Sequence, residues 1–260
     1  MTQSFYVHEG RGYRATELTR GPWSPDHQHA GPPSALIAAV IERGLPPQME
    51  VARLTVEILR PLPIATFGVT VLPLRAGRKV QWLTADLLGE NATPLARAHA
   101  LCIRTLHLDL PAKGDPVDEP VPSPARSEPF AFPFLTGDVG YHTAMELRLA
   151  RGEFGSGRVA MWLRMRHPLI EGEAPSPLQR VMVAADSGNG VSMVLKPHQH
   201  TFVNPDLTVY LHRPPEGEWV CLDARTIPQE RGVGLADTRL LDERGPIGRS
   251  VQSLVIDVRP

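Results

Sequence analysis

Asp186 is a carboxylate at a position where the sequence pattern predicts apolar surroundings. It follows Leu178 and Met182 at successive steps of four along a predicted helix, so all three share one face. An unpaired buried carboxylate costs several kcal/mol, so something must compensate it. A compensated carboxylate has the chemistry of a general base acting on water. The alternative is that the helix ends near Ala185 and that Asp186 only accepts hydrogen bonds from amides of the 187–190 turn.

Gln252 is a second polar residue at a position where the sequence pattern predicts apolar neighbours. In SVQSLVI it shares a strand face with Leu254 and Ile256, because alternate residues of a strand point the same way. A lone glutamine at such a position is more often a structural hydrogen-bonding group. Beside Asp186 it becomes a candidate for holding a water molecule.

Asn204 and Thr208 lie on the polar face of another predicted strand. Alternate residues from Asn204 to His212 face away from the apolar residues of LTVYL, provided that the strand begins at or before position 204. Most polar strand faces contact solvent, and this alternative applies above all to Asp206 and His212. Asn204 and Thr208 lie nearer to the strand entrance and are candidates for the same water.

His29 directly precedes a predicted helix that begins with Gly31 and Pro32. Exposed backbone N–H groups and the helix dipole make such a start a binding site for phosphate or another negatively polarised oxygen. We therefore treat His29, Gly31 and Pro32 as candidate substrate-binding residues. An ordinary loop histidine with satisfied hydrogen bonds is the alternative for His29.

Familiar covalent and metal motifs are absent from the sequence. It contains no GxSxG nucleophile motif, no HExxH motif and no Cys/His set at metal-ligand spacing. These absences favour direct attack by water over a covalent intermediate. The sequence implies no metal and no other cofactor.

The chain contains one unit written twice. LTVEILRP at 54–61 returns as LTVYLHRP at 207–214, an offset of 153, and at the same offset 87–101 resembles 240–254. Apolar residues alternate in each phrase, which is the period of a half-buried strand, and Arg-Pro ends each strand. The sequence therefore predicts a tandem duplication.

A helix precedes the strands in each half. Residues 31–44 begin with prolines and end on glycine, and residues 177–187 follow an N-capping Ser176. Short turns such as 76–77 and 243–245 join the strands. This order predicts an α+β fold with each helix wrapped by a mostly antiparallel sheet.

The domain boundaries follow from composition. We expect a first repeat over 1–108 and a second over 134–260, and between them the proline-rich segment 109–133 has no periodicity and is predicted to be a linker.

Composition excludes several classes of function. The 27 basic and 28 acidic residues leave the chain almost neutral, which argues against nucleic acid as a partner. Cys102 and Cys221 lie in separate apolar runs and are expected to be reduced core residues. No signal peptide and no membrane-spanning apolar run is evident, so we expect a cytoplasmic protein without a membrane partner.

The motifs HQHAGPPSALIAAVIER, RLTVEILRP and GRKVQW, followed by ADSGNG, NPDLTVYLHRP and GRSVQSLVID, resemble the double-hotdog acyl-CoA thioesterases. The resemblance covers nearly the whole chain outside the linker. It implies two tandem hotdog repeats, an acyl-CoA or related thioester as substrate, and either a monomer of fused hotdogs or a homo-oligomer.

The same resemblance assigns roles to residues. Family members position the hydrolytic water with an Asp, a Thr or Ser, and a Gln, which fall here on Asp186, on Asn204 or the nearby hydroxyl of Thr208, and on Gln252. Asn204 in place of a hydroxyl is a departure from the family pattern. The thioester would lie across the seam between the hotdogs, with its carbonyl polarised by N–H groups at a helix N-terminus.

Two other functions stay open. Asn204 favours an acyl-CoA-binding module without turnover. FLTGDVGYH at 134–142 faintly resembles the segment with which hotdog enoyl hydratases add water to a double bond, through Asp138 and His142 here. In this chain the segment lacks the Asn-Pro pair, and His142 is expected to lie ahead of a strand and not on a helix.

Overall fold

The computed structural model describes residues 3–109, 120–135 and 137–259. Elements of the first half, in chain order, are β1 (Tyr6–Glu9), β2 (Gly12–Ala15), α1 (Gly31–Gly44), β3 (Met49–Ile58), β4 (Thr66–Ala76), β5 (Val80–Leu88) and β6 (Pro94–Arg104). Elements of the second half are β7 (Glu128–Phe130), α2 (Tyr141–Ala144), β8 (Met145–Gly152), β9 (Arg158–Met165), α3 (Pro177–Ala185), α4 (Gly188–Val191), β10 (His200–Val203), β11 (Asp206–Leu211), β12 (Val220–Pro228), β13 (Val233–Asp242) and β14 (Gly245–Val258). Single turns of 3₁₀ helix lie at Glu17–Thr19, Glu90–Ala92 and Pro124–Arg126.

All the strands belong to one antiparallel sheet whose centre is the pair β3 and β11. The order runs β1-β2-β4-β5-β6-β3-β11-β14-β13-β12-β9-β8-β7, with β10 pairing to β14. Outward from the centre, β3, β6, β5 and β4 are mirrored by β11, β14, β13 and β12. The predicted α+β double hotdog, with its mostly antiparallel sheet, is confirmed.

The repeated sequence LTVEILRP/LTVYLHRP forms the paired strands β3 and β11, which lie on the symmetry axis of the molecule. Thr55 pairs with Thr208 in the register of β3 and β11, flanked by the pairs Leu54 with Val209 and Val56 with Leu207. An offset of 153 exchanges the two flanking pairs and maps Thr55 onto Thr208. The Thr208 hydroxyl donates to Thr55 Oγ1 at 3.1 Å, so a pseudo-twofold axis passes through this hydrogen bond.

Helices α1 and α3 pack antiparallel inside the sheet. The start of α1 contacts the end of α3, since Gly31 lies against the Val183 carbonyl, while the end of α1 receives a hydrogen bond from Ser176 Oγ to Glu42 at 2.7 Å. Ser176 Oγ also caps α3 by accepting from the Gln179 N–H at 3.1 Å. The small buried residues of α1 permit this close approach.

Several details differ from the sequence predictions. Helix α3 ends at Ala185 rather than 187, because Asp186 takes up the C-cap position. The one-turn helix α2 contains His142, so the expectation that His142 is not on a helix is wrong.

Part of the predicted linker, 109–133, is structured. Residues 110–119 lie outside the described residues, but Glu128–Phe130 adds an edge strand to β8, so the expectation of no element there is wrong. The predicted domain boundaries stay predictions.

Both cysteines are free and buried, as predicted, and burial raises the pKa of the Cys102 thiol to about 11. Within the described ranges, no helix is long and apolar enough to cross a membrane.

Gly31→Ala tests how closely the helices approach. A Cβ at position 31 would collide with the Val183 carbonyl oxygen, so the helices must move apart. We expect the free energy of unfolding to fall by about 1–3 kcal/mol in chemical denaturation. Gly44→Ala at the other end of α1 is the matched control, since its Cβ would meet nothing within 4 Å. Equal stability of the two variants would contradict this packing.

Candidate functional site

Asp186 lies where the end of α3 meets the start of α1. The stripe of Leu178 and Met182 faces the core, and the next residue on that stripe, Asp186, is only 6% exposed. Its carboxylate is therefore held at the seam between the two halves.

Hydrogen-bond donors from both halves surround this carboxylate. His29 Nδ1 lies 2.9 Å from Oδ2, and Asn204 Nδ2 donates to Oδ1 at 2.8 Å. Gln252 Nε2 also donates to Oδ1, at 3.2 Å, and the Gly31 backbone N–H contributes a fourth donor. The alternative prediction was right that the helix ends at Ala185 but wrong about the partners, because side chains from three distant segments of the chain compensate the charge.

These donors keep the carboxylate ionised. Burial on its own raises the pKa of Asp186, but the charge and the hydrogen bond of His29, with those of Asn204 and Gly31, oppose burial. The resulting pKa lies below the ordinary value for an aspartate. Asp186 is thus a negative charge fixed in the interior.

Gln252 connects the carboxylate to the sheet. Its side chain on β14 is buried, and Nε2 donates both to the Asp186 backbone carbonyl at 3.0 Å and to the carboxylate. Its Oε1 accepts from the Asn189 N–H at 3.0 Å. A Cβ at Gly188 would lie 3.0 Å from this Oε1 and 2.7 Å from Thr238 Oγ1, so the glycine leaves room for the amide.

Asn204 reaches Asp186, and Thr208 does not. Asn204 lies in the break between β10 and β11, which the sequence treats as one strand, and there its amide turns toward α3. Thr208 lies within β11, and its hydroxyl is engaged by Thr55 on the symmetry axis. The structure thus brings Asp186, Gln252 and Asn204 together without Thr208.

His29 is held by one aromatic contact, with Tyr141, and one electrostatic contact, with Asp186. Its ring stacks on Tyr141 with centroids 3.7 Å apart and planes 7° from parallel, and its side chain is 14% exposed. The Tyr141 hydroxyl donates to the Val183 carbonyl at 2.9 Å and lies 2.8 Å from Ser187 Oγ. Tyr141 therefore fixes the plane of the imidazole against the end of α3.

Gly31 and Pro32 are buried at the start of α1. Prolines at 32 and 33 carry no N–H, the Ser34 N–H donates to the Ala30 carbonyl, and the Gly31 N–H points at His29 Nδ1 and the carboxylate. The first turn of α1 therefore has no uncommitted backbone N–H to offer a substrate.

A cavity of about 420 Å³ opens onto this cluster. His29, Asp186, Asn189 and Asn204 contribute its polar wall. Apolar side chains line the rest, among them Trp23, Leu62, Phe132, Phe134, Met193 and Phe202. A mostly apolar cavity with a few convergent polar groups is typical of a small-molecule site.

A second cavity, of about 540 Å³, is the symmetry counterpart of the first. The first is lined by 58–62 and 202–205, and the second by 211–215 and 49–52, which differ by the offset of 153. At that offset Asn204 corresponds to Val51 and Gln252 to His99. Among the residues that the structure describes, the polar cluster is therefore present at one end of the helix pair only.

The residues of the hydratase alternative do not converge. His142 lines the first cavity, with Nε2 2.8 Å from the Gly137 carbonyl, whereas Asp138 is exposed and is not part of the cavity wall. Among the residues that the structure describes, no group of three His, Cys, Asp or Glu side chains is placed to hold a metal.

Sequence reasoning missed Tyr141 and Asn189, and it missed the contact between His29 and Asp186. The DSGNG motif that contains Asn189 was interpreted as a turn. Only the antiparallel packing of α1 and α3 brings His29 to Asp186, and no periodicity in one segment reveals it.

Family models match most of the chain. The acyl-CoA thioesterase N-terminal domain matches residues 19–103, and the acyl-CoA thioesterase C-terminal domain matches residues 112–256. No curated relative matches the sequence.

Solved structures share the fold at low identity. A conserved protein of unknown function with a hot dog fold from Alicyclobacillus acidocaldarius is 17% identical, with a TM-score of 0.74, over 98% of this chain and 96% of that chain. The tesB protein of Mycobacterium avium subspecies paratuberculosis is 16% identical, with a TM-score of 0.71, over 98% and 96%. Acyl-CoA thioesterase II TesB2 from Mycobacterium marinum is 13% identical, with a TM-score of 0.66, over 96% and 94%. On the strength of both domain matches, this chain belongs to the acyl-CoA thioesterase family and is a thioester hydrolase with a double hotdog fold.

Proposed function

We propose that the chain hydrolyses acyl-CoA thioesters by direct attack of water in the 420 Å³ cavity, with Asp186 supplying the negative charge that activates the water. The observation that carries the proposal is an ionised, buried carboxylate at the wall of an apolar cavity. A fixed charge in a water-poor site acts more strongly than it does in solvent. Gln252 and Asn204 hold the carboxylate, and Thr208 takes no part.

The cavity wall suits the acyl part of the substrate. Aromatic and aliphatic side chains offer apolar area to an acyl chain and exclude water from the reacting carbonyl. Both halves of one chain build the seam, so one chain carries a complete site. The free thiols of Cys102 and Cys221 support a reducing, cytoplasmic location.

Arg60 supplies a cation at the cavity rim. It lies in the first Arg-Pro phrase and is exposed, and it has no ion-pair partner among the described residues. Its symmetry counterpart Arg213 is instead bound to the buried Asp242 at 2.5 and 2.6 Å, and the position equivalent to Asp242 is Gly89. We assign Arg60 to the phosphates of coenzyme A.

The first test measures turnover. Purified protein should release thiol from at least one member of a panel of short, medium and long acyl-CoA substrates, with no added metal or nucleotide. Thermal stabilisation by acyl-CoA without thiol release from any of them would instead favour the acyl-binding module.

Asp186→Asn keeps the shape of the side chain and removes its charge. We expect kcat to fall by about a hundredfold or more with KM little changed, because the charge acts on the reaction and not on substrate binding. Gln252→Ala should cost less, and the double variant should be little worse than Asp186→Asn alone. Thr208→Val is the control and should keep its kcat. Full turnover by folded Asp186→Asn protein would exclude this role.

Arg60→Gln separates recognition of the carrier from chemistry. With acyl-CoA, KM should rise by about tenfold while kcat changes little, since one charge-assisted contact contributes about 1.5 kcal/mol. With the N-acetylcysteamine thioester of the same acyl group, which has no phosphates, KM should be the same in the variant and the wild type. An equal rise in KM for both substrates would contradict the assignment to phosphate.

A further inference from the structure

Donors occupy most of the lone-pair positions of the Asp186 carboxylate. A carboxylate offers about four lone-pair positions, and those of Asp186 face the donors of His29, Asn204, Gln252 and Gly31. Burial raises the pKa of this carboxyl, but His29, Asn204 and Gly31 together lower it below the ordinary value, which makes Asp186 a weaker proton acceptor. The charge that the reaction needs is present, but the carboxylate is a weak and crowded acceptor for the proton.

The hydrogen bond to Asp186 fixes the tautomer of His29 in its neutral form, which is the form that can act as a base. An ionised carboxylate can only accept, so Nδ1 of His29 carries the proton that lies between them at 2.9 Å. A protonated Nδ1 cannot accept as well, so the Gly31 N–H, 3.1 Å from the same nitrogen, is directed to the carboxylate. In the neutral ring Nε2 is then the unprotonated acceptor. Nε2 has no hydrogen-bond partner in the described part of the chain, and the ring borders the cavity.

A second acceptor without a partner belongs to a residue of the cavity wall. Asn189 Nδ2 donates to the Phe202 carbonyl at 2.9 Å, which fixes the orientation of the amide. Asn189 Oδ1 is buried and has no partner among the described residues. A buried acceptor without a partner is costly, and a water molecule has two protons to donate. Asn189 therefore adds a second polar position to the cavity wall that contains His29.

We infer that His29 is the general base of the hydrolysis and that Asp186 is a positioning residue acting through it, an inference that rests on the proposed function. His29 Nε2 takes one proton from water as the water oxygen bonds to the thioester carbonyl carbon. The tetrahedral intermediate then collapses, the C–S bond breaks, and the imidazolium returns the proton to the thiolate sulfur. The products are the carboxylic acid and free coenzyme A thiol, and no other reactant is needed. Stacking on Tyr141 keeps the ring plane constant through both transfers.

His29→Asn distinguishes this base from Asp186 acting alone. The asparagine Nδ2 reproduces the Nδ1–H donor to Asp186, so the carboxylate keeps its partners, but the Nε2 acceptor is lost. We expect kcat to fall by about a hundredfold or more with KM changed by less than about threefold. If Asp186 were the base, His29→Asn would keep most of its turnover.

Rescue by added imidazole provides a second and independent readout. His29→Ala leaves space beside Tyr141, and millimolar imidazole should restore kcat by at least about tenfold in that variant. It should not restore kcat in Asp186→Asn or raise it in the wild type, because neither lacks the ring. A merely structural His29 would give a loss in melting temperature that matches the loss in activity, with no rescue.

The outcomes separate the two proposals. A wild-type protein that hydrolyses no acyl-CoA would overturn the proposed function itself. Active wild-type protein with an active His29→Asn variant would overturn only the role of His29. If His29→Asn does not fold, folded His29→Gln and the imidazole series on His29→Ala decide the question, and absence of rescue counts against the base.

Discussion

The structure depends on one buried negative charge. The Asp186 carboxylate is almost completely removed from water, and the donors that compensate it come from the start of α1, the break between β10 and β11, and β14. Removing any one of them leaves a charge in a poorly polarisable interior. The charge therefore fixes how the two halves meet. The close approach of α1 to α3 at Gly31 brings the donors at the start of α1 within reach of the carboxylate.

Duplication explains why the site lies at the seam between the two halves, and sequence divergence explains why the described residues form the polar cluster at one end only. The pseudo-twofold axis through Thr55 and Thr208 generates two cavities of similar lining, at opposite ends of the helix pair. Val51 replaces Asn204 and His99 replaces Gln252 in the second. There Glu42 is supported by Ser176 and Gln179 instead, and burial raises its pKa, so the second end stabilises the helix pair in a different way.

Much of the fold is predictable from the sequence. The repeat at an offset of 153 indicates two units, the alternation of apolar residues indicates strands, and proline and glycine mark the starts and ends of the helices. Asp186 and Gln252 were identified because polar residues at apolar positions need a partner. The contact between His29 and Asp186 was not identified, because it depends on helix packing across a gap of more than a hundred and fifty residues. The strand breaks at Asn204 because Pro205 has no N–H to donate to the sheet. The alternating pattern of apolar residues gives no sign of this break.

Two arginines show how one motif can take two roles after duplication. In the second half Arg213 neutralises the buried Asp242. The backbone N–H groups of Glu216 and Arg244 donate to the same carboxylate, so Arg213 has a structural role at this turn. In the first half the equivalent position is Gly89, which has no carboxylate for an arginine to neutralise. Arg60 is therefore exposed at the cavity rim. A charge that is bound internally cannot also bind a ligand, because a carboxylate partner occupies the same donors. Because only the second repeat has an acidic residue at this position, Arg60 has no ion-pair partner among the described residues at the end of the molecule where the Asp186 cluster lies.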